Sequence, residues 1–157
     1  MQLIKVLSGL LTPTIAILAV YIAYRQHQTA KAKLKLDLYE KRLIIFHNFK
    51  TFIWLRITKL EFEENELKDF ERNTNECIFL FGDKIIDFRN ALINKGKDLI
   101  KKDREIKRRI REESLHSTDP MELERLQKER ENVSSWFDFE HGNIENRFNK
   151  YLNFRKL

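Results

Sequence analysis

Val6-Leu7-Ser8-Gly9-Leu10-Leu11-Thr12-Pro13-Thr14-Ile15-Ala16-Ile17-Leu18-Ala19-Val20-Tyr21-Ile22-Ala23-Tyr24 is an unbroken apolar run that stops abruptly at Arg25. A bilayer core of roughly 30 Å takes about 20 helical residues, and the run has that length once Leu3 and Ile4, beyond a snorkelling Lys5, are added. The competing readings are a cleaved signal peptide and a buried core helix. A signal sequence has an apolar region of about 7 to 15 residues closed by a small-x-small cleavage site. This run is longer and closes on Tyr21, Tyr24 and Arg25. The favoured reading is a transmembrane helix over 1–24, followed by a single domain over 25–157.

Working outward, Arg25, Lys31, Lys33, Lys35, Lys41 and Arg42 follow the run closely, whereas Lys5 alone precedes it. The positive-inside rule then puts the C-terminal domain in the cytoplasm, giving a single-pass inner-membrane protein, with Tyr21 and Tyr24 in the cytoplasmic aromatic belt. The one cysteine, Cys77, fits a reducing compartment and excludes an intrachain disulfide. The formal net charge of +6 suits anionic partners, among which lipid headgroups, nucleic acid and acidic proteins are not separated by charge.

Only four Gly and two Pro punctuate the chain, which favours an all-α fold. The first helix is expected to continue past the membrane, because no Gly or Pro occurs from Arg25 to Leu60. Lys33-Leu34-Lys35-Leu36-Asp37-Leu38 alternates like a strand, but its context overrides it. Leu34, Leu38, Ile45, Phe49 and Phe52 form one helical seam, and Leu36, Tyr39, Leu43, Phe46, Ile53, Ile57 and Leu60 a second, so two buried faces are predicted. A second helix is predicted over Glu63 to Phe81, ended by Gly82 in a left-handed conformation. The third runs from Lys84 to Arg111 with Ile85, Phe88, Leu92, Leu99, Ile106 and Ile110 on one side. His116-Ser117-Thr118-Asp119-Pro120 breaks the pattern. Thr118 or Asp119 caps a last helix whose apolar face carries Leu123, Leu126, Val133, Phe137, Ile144, Phe148 and Leu152, with a kink expected at Gly142. The expectation is a bundle of about four helices.

Two patterns go beyond core building. Gly9, Thr12, Ala16, Ala19 and Ala23 recur at steps of three and four, a small-residue seam that allows close approach of helices in lipid. It points to a homo-oligomer, most simply a tetramer, against the alternative that small residues in a span recur by chance. On the third helix Lys97, Lys101, Arg104, Arg108 and Arg111 line one face nearly opposite the apolar seam. Such a stripe tracks phosphates, with arginine supplying forked donors. Asp98, Asp103, Glu105, Glu112 and Glu113 lie nearby, so a solvated, salt-bridged face is the favoured reading of the stripe and phosphate binding the alternative. Trp54, Trp136, Phe137 and Phe139 are read as core, not as stacking platforms.

No HExxH, phosphate-cradling Gly loop, GxSxG or metal-spaced Cys pair occurs, so neither an enzyme nor a cofactor or metal is expected. His141 with Glu140 and Glu145 reads as surface decoration, and Cys77 as a small core residue.

Three stretches carry a family likeness. They are Arg25-Gln26-His27-Gln28-Thr29-Ala30-Lys31-Ala32-Lys33-Leu34-Lys35-Leu36-Asp37-Leu38-Tyr39-Glu40-Lys41-Arg42 after the span, Phe79-Leu80-Phe81-Gly82, and Tyr151-Leu152-Asn153-Phe154. Together they resemble a family of small bacterial single-span proteins, in which a basic juxtamembrane helix leads into a cytoplasmic helical domain ending in Tyr-Leu-x-Phe. By architecture, size and charge the chain is also similar to membrane effectors of Hailong-type anti-phage systems. That resemblance implies a toxic, ion-conducting membrane protein controlled by an oligonucleotide from a partner nucleotidyltransferase. It transfers no ligand residue, and a membrane-tethered scaffold or adaptor for a protein partner stays open beside it. The charge asymmetry around the apolar run has a direct test: a C-terminal alkaline phosphatase fusion is expected to be inactive and the matching fluorescent fusion bright, the reverse pattern inverting the topology.

Overall fold

The computed structural model describes residues 2–59, 63–113 and 120–153, and side chains within 14–59, 63–111 and 121–153. Every element among them is a helix: α1 (Gln2–Thr58), α2 (Glu64–Asn73), the single turn α3 (Cys77–Leu80), α4 (Asp83–Glu113) and α5 (Pro120–Leu152). The chain is thus all-α, and the alternating stretch Lys33–Leu38 is helical. It divides into two compact units, Met1–Tyr39 and Glu40–Leu157.

In the N-terminal unit the described side chains are exposed or half-exposed throughout, including Ile17 at 70% and Val20 at 71%. The first part of the apolar run, residues 6–13, lies outside the described side chains, as do Gly9 and Thr12 of the small-residue seam. Ala16, Ala19 and Ala23 are exposed. Among the described residues no helix is long and apolar enough to cross a membrane. The apolar stretch from Thr14 to Tyr24 is by itself shorter than the roughly 20 residues a span takes.

The C-terminal unit is built on aromatic rings. Ile45, Phe46, Phe49, Phe52 and Ile53 of α1 are buried. Their spacing puts both expected seams on one broad face, not on two. Leu34 and Leu36, which open those seams, lie in the N-terminal unit and are exposed. Leu60 lies outside the described residues. Phe49 meets Phe70 of α2 at 5.1 Å, Phe88 of α4 at 5.7 Å and Phe148 of α5 at 5.1 Å between ring centroids, so one ring from each of four helices meets at a point. Phe52 stacks on Phe70 at 4.1 Å. α4 and α5 run antiparallel, with Lys102 bonded to Glu129 and Arg109 to Glu122.

The predicted second helix is broken. α2 ends at Asn73, where the buried Thr74 hydroxyl donates to the Phe70 carbonyl at 2.6 Å and accepts from Arg89 Nε at 2.9 Å. Arg89 Nη2 also donates to the Glu71 carbonyl at 2.8 Å, so a cation from α4 caps the C-terminus of α2. A helix so capped needs no glycine stop, and among the described residues no glycine has a positive φ. Gly82 instead leaves room for a side chain: a Cβ there would lie 2.9 Å from the Tyr151 hydroxyl, which accepts a hydrogen bond from Gly82 N, so Tyr151 would have to shift. Arg42 completes this node, donating from Nε to the Leu80 carbonyl at 2.9 Å and lying over the Phe81 and Tyr151 rings.

On α4, Ile85, Phe88, Leu92 and Leu99 are buried, Ile106 is half-buried and Ile110 is exposed near the helix end. The expected break and cap at 116–119 lie outside the described residues, α5 begins at Pro120 as expected, and the helix runs through Gly142 without interruption. Replacing Phe49 with Ala is expected to cost about 3–5 kcal/mol, while Phe79→Ala, at an 82% exposed position, should stay within about 0.5 kcal/mol. Urea denaturation of both variants checks the contrast.

Candidate functional site: a groove between α2 and α4

Glu64 and Glu71 lie seven residues apart on α2, and Lys97 and Arg104 lie seven apart on α4. Seven residues are two turns, roughly 10 Å, so each pair shares one face of its helix. The helices run antiparallel, which brings Arg104 Nη2 to Glu64 Oε2 at 2.6 Å and Lys97 Nζ to Glu71 Oε1 at 3.1 Å. Between these two rungs lies a groove of about 480 Å³, floored by the buried Leu67 and Ile100 and walled by Lys68, Lys101 and Arg108. A second, more polar hollow shares Lys68, Glu71 and Lys97 with it and adds Arg72, Arg89 and the amides of Asn75, Asn90 and Asn94.

Four of the five stripe residues, Lys97, Lys101, Arg104 and Arg108, therefore line one concave surface. Arg111 is exposed further along α4 and does not line it. The sequence reading missed the opposite wall. Its expected counter-charges were local to α4, and of these Glu105 does pair with Arg108 at 2.5 Å and with Arg109 at 3.3 Å. Asp103 instead faces α5, bonded to Arg130 at 2.5 Å. The acids that meet the stripe from across the groove are Glu64 and Glu71. Their seven-residue spacing matches that of Lys97 and Arg104, but which helix they face is set only by the packing of α2 on α4.

The hydrogen bond from Arg104, followed by that from Lys68, holds the Glu64 carboxyl below its ordinary value. Glu105 is lowered likewise, first by its hydrogen bond from Arg108. These groups are solvent-facing, so the pairs are individually weak. They leave the groove a surface of mixed sign in which cations outnumber carboxylates.

Other candidate residues fall elsewhere. Phe137 is buried and Trp136 half-buried, but Trp54 and Phe139 are exposed, correcting their reading as core. Phe139 lies on the side of α5 opposite its buried face, and Trp54 at the edge of the buried face of α1. Glu140 is buried and held by two 2.7 Å bonds from Arg147, Glu145 pairs with Lys50, and His141 lies against Trp54, so the trio is dispersed. Among the described residues no group of His, Cys, Asp and Glu is arranged to hold a metal ion. Cys77 is fully buried, and burial raises its thiol pKa, as suits a packing residue.

The chain matches no family model, no curated protein and no solved structure.

Because Glu64 and Glu105 titrate lower in the fold than in the unfolded chain, the stability they contribute is complete above the ordinary carboxylate range. It is lost as pH falls through their lowered values. The double variant Glu64→Gln/Glu105→Gln is expected to show a shallower acid-side decline of stability than the parent, measured by urea unfolding between about pH 5 and 2.

Proposed function

We propose that this protein is an oligomeric membrane effector whose α2–α4 groove binds a short oligonucleotide, and that this binding controls whether its N-terminal helices form a conducting path, in the setting of anti-phage defence. The observation that carries the reading is the groove itself. An apolar floor of Leu67 and Ile100 suits a base or sugar face, and the surrounding Lys68, Lys97, Lys101, Arg104 and Arg108 suit successive phosphates. The neighbouring asparagine amides offer both donors and acceptors to base edges.

Two further features support the coupling. α2 is at once a wall of the groove and a packing partner of α1, through Phe70 against Phe49 and Phe52. A ligand held better in one placement of α2 than in another therefore biases α1, and by linkage α1 biases the ligand. α1 is also the helix that carries the apolar run, whose described side chains Ile15, Ile17, Leu18, Val20 and Ile22 are all more than half exposed. An apolar surface so complete calls for lipid or other copies of the helix around it. The small-residue positions Ala16, Ala19 and Ala23 lie on that same exposed surface.

Reversing Arg104 and Arg108 to Glu tests the reading. The expected outcome is loss of oligonucleotide affinity with the bundle still folded, since both side chains are exposed. The slope of log affinity against log salt should drop by about two for any residual binding. Ligand-dependent ion flux in liposomes is expected to vanish with it. Full affinity and unchanged flux in the double variant would leave the stripe a solvated face and favour a membrane-tethered scaffold for a protein partner.

A further inference from the structure

We infer that Glu64 and Glu71 are internal competitors of the groove's ligand, occupying in the free protein the cations that a chain of phosphates takes in the bound one. This rests on the reading of the groove as a phosphate site and adds how that site is regulated. In the free protein Glu64 accepts from two cations on different helices, Arg104 at 2.6 Å and Lys68 at 3.1 Å. Glu71 accepts from Lys97 at 3.1 Å. All five side chains line the same groove, so the carboxylates stand where an anion from solution would bind, with the same charge and the same forked acceptor geometry.

The matched spacing gives this arrangement a selectivity. A single phosphate group reaches one rung and gains little by exchanging one carboxylate for another anion, because exposed ion pairs are weak and nearly equal in strength. A polyanion whose charges span roughly 10 Å, the distance between the rungs, displaces both carboxylates with one ordering cost. Lys101, exposed between the rungs and in no ion pair among the described residues, is free to receive the first phosphate. Glu64 and Glu71 thereby screen the groove against small anions and leave it open to extended ones.

The test uses the full chain in detergent with two probes: a short fluorescein-labelled mixed-sequence single-stranded DNA, and inorganic phosphate as its competitor. Two variants are compared with the parent, Glu64→Gln/Glu71→Gln and Asp69→Asn. Asp69 lies on α2, pairs with Arg72 and does not line the groove, so its variant reports the general effect of removing a negative charge. The expected result is DNA affinity about threefold to tenfold higher in the double variant, with inorganic phosphate competing at correspondingly lower concentration. In Asp69→Asn both quantities should stay close to those of the parent. Equal DNA affinity in the double variant and the parent, or a gain no larger per charge than that in Asp69→Asn, overturns the competition while leaving the groove a phosphate site. Absence of DNA binding in every form overturns the groove reading itself, and the competition with it.

Discussion

Phe49 is the contact on which the folded unit depends. It is fully buried, it sits on the long first helix, and its ring touches one phenylalanine from each of α2, α4 and α5. Those four helices are joined by little besides a one-turn helix and short connections, and none of the elements can bury its apolar stripe alone. The aromatic hub supplies a shared apolar centre that sets which faces meet. Once Phe49, Phe70, Phe88 and Phe148 are fixed, the antiparallel registers of α2 on α4 and of α4 on α5 follow. With them come the cross-helix pairs Arg104–Glu64, Lys97–Glu71 and Lys102–Glu129.

The C-terminal unit also buries charged groups. Glu140 is buried, but two bonds from Arg147 satisfy it, and the Arg147 guanidinium in turn lies 4.5 Å from the Phe88 ring centroid. Arg56 is 2% exposed and donates to the Lys59 carbonyl at 3.1 Å. Its pKa is lowered, chiefly by burial and then by Arg130, while Asp103 and Asp138 oppose the shift. Losing one member of such a set costs more than losing a surface pair, because the remaining charge is left in a poorly solvating place. The groove is the opposite case. Its ion pairs are exposed and individually weak, which makes them exchangeable and suits a binding surface better than a structural one.

Residues from three distant stretches of the sequence also meet in space. Arg42 from the end of the basic helix, Leu80-Phe81-Gly82 before α4 and Tyr151 near the end of α5 form one contact node. Their significance is therefore architectural: they tie three distant parts of the chain together, and none of them lines the groove.

What the sequence determined by itself is whatever depends on periodicity and on residue type within one helix. The scarcity of Gly and Pro fixed the all-helical class. The helical spacing identified Phe49, Phe88, Leu92, Leu99, Phe137, Ile144 and Phe148 as core, and the four- and three-residue steps of Lys97 to Arg108 placed a cationic stripe on one side of α4. The tertiary structure decided whatever depends on which residue lies opposite which. The merger of two seams into one face, the end of α2 at a side-chain cap from Arg89, and the exposure of Trp54 and Phe139 all follow from which faces the neighbouring helices cover. Gly82 shows the difference most plainly. Its neighbours in the chain suggested a helix stop, but its missing side chain matters because Tyr151, 69 positions later, occupies the space. The groove divides the same way: its cations were legible, whereas its second wall was not, because the pairing of Glu64 and Glu71 with Arg104 and Lys97 exists only in the antiparallel register that the aromatic hub imposes.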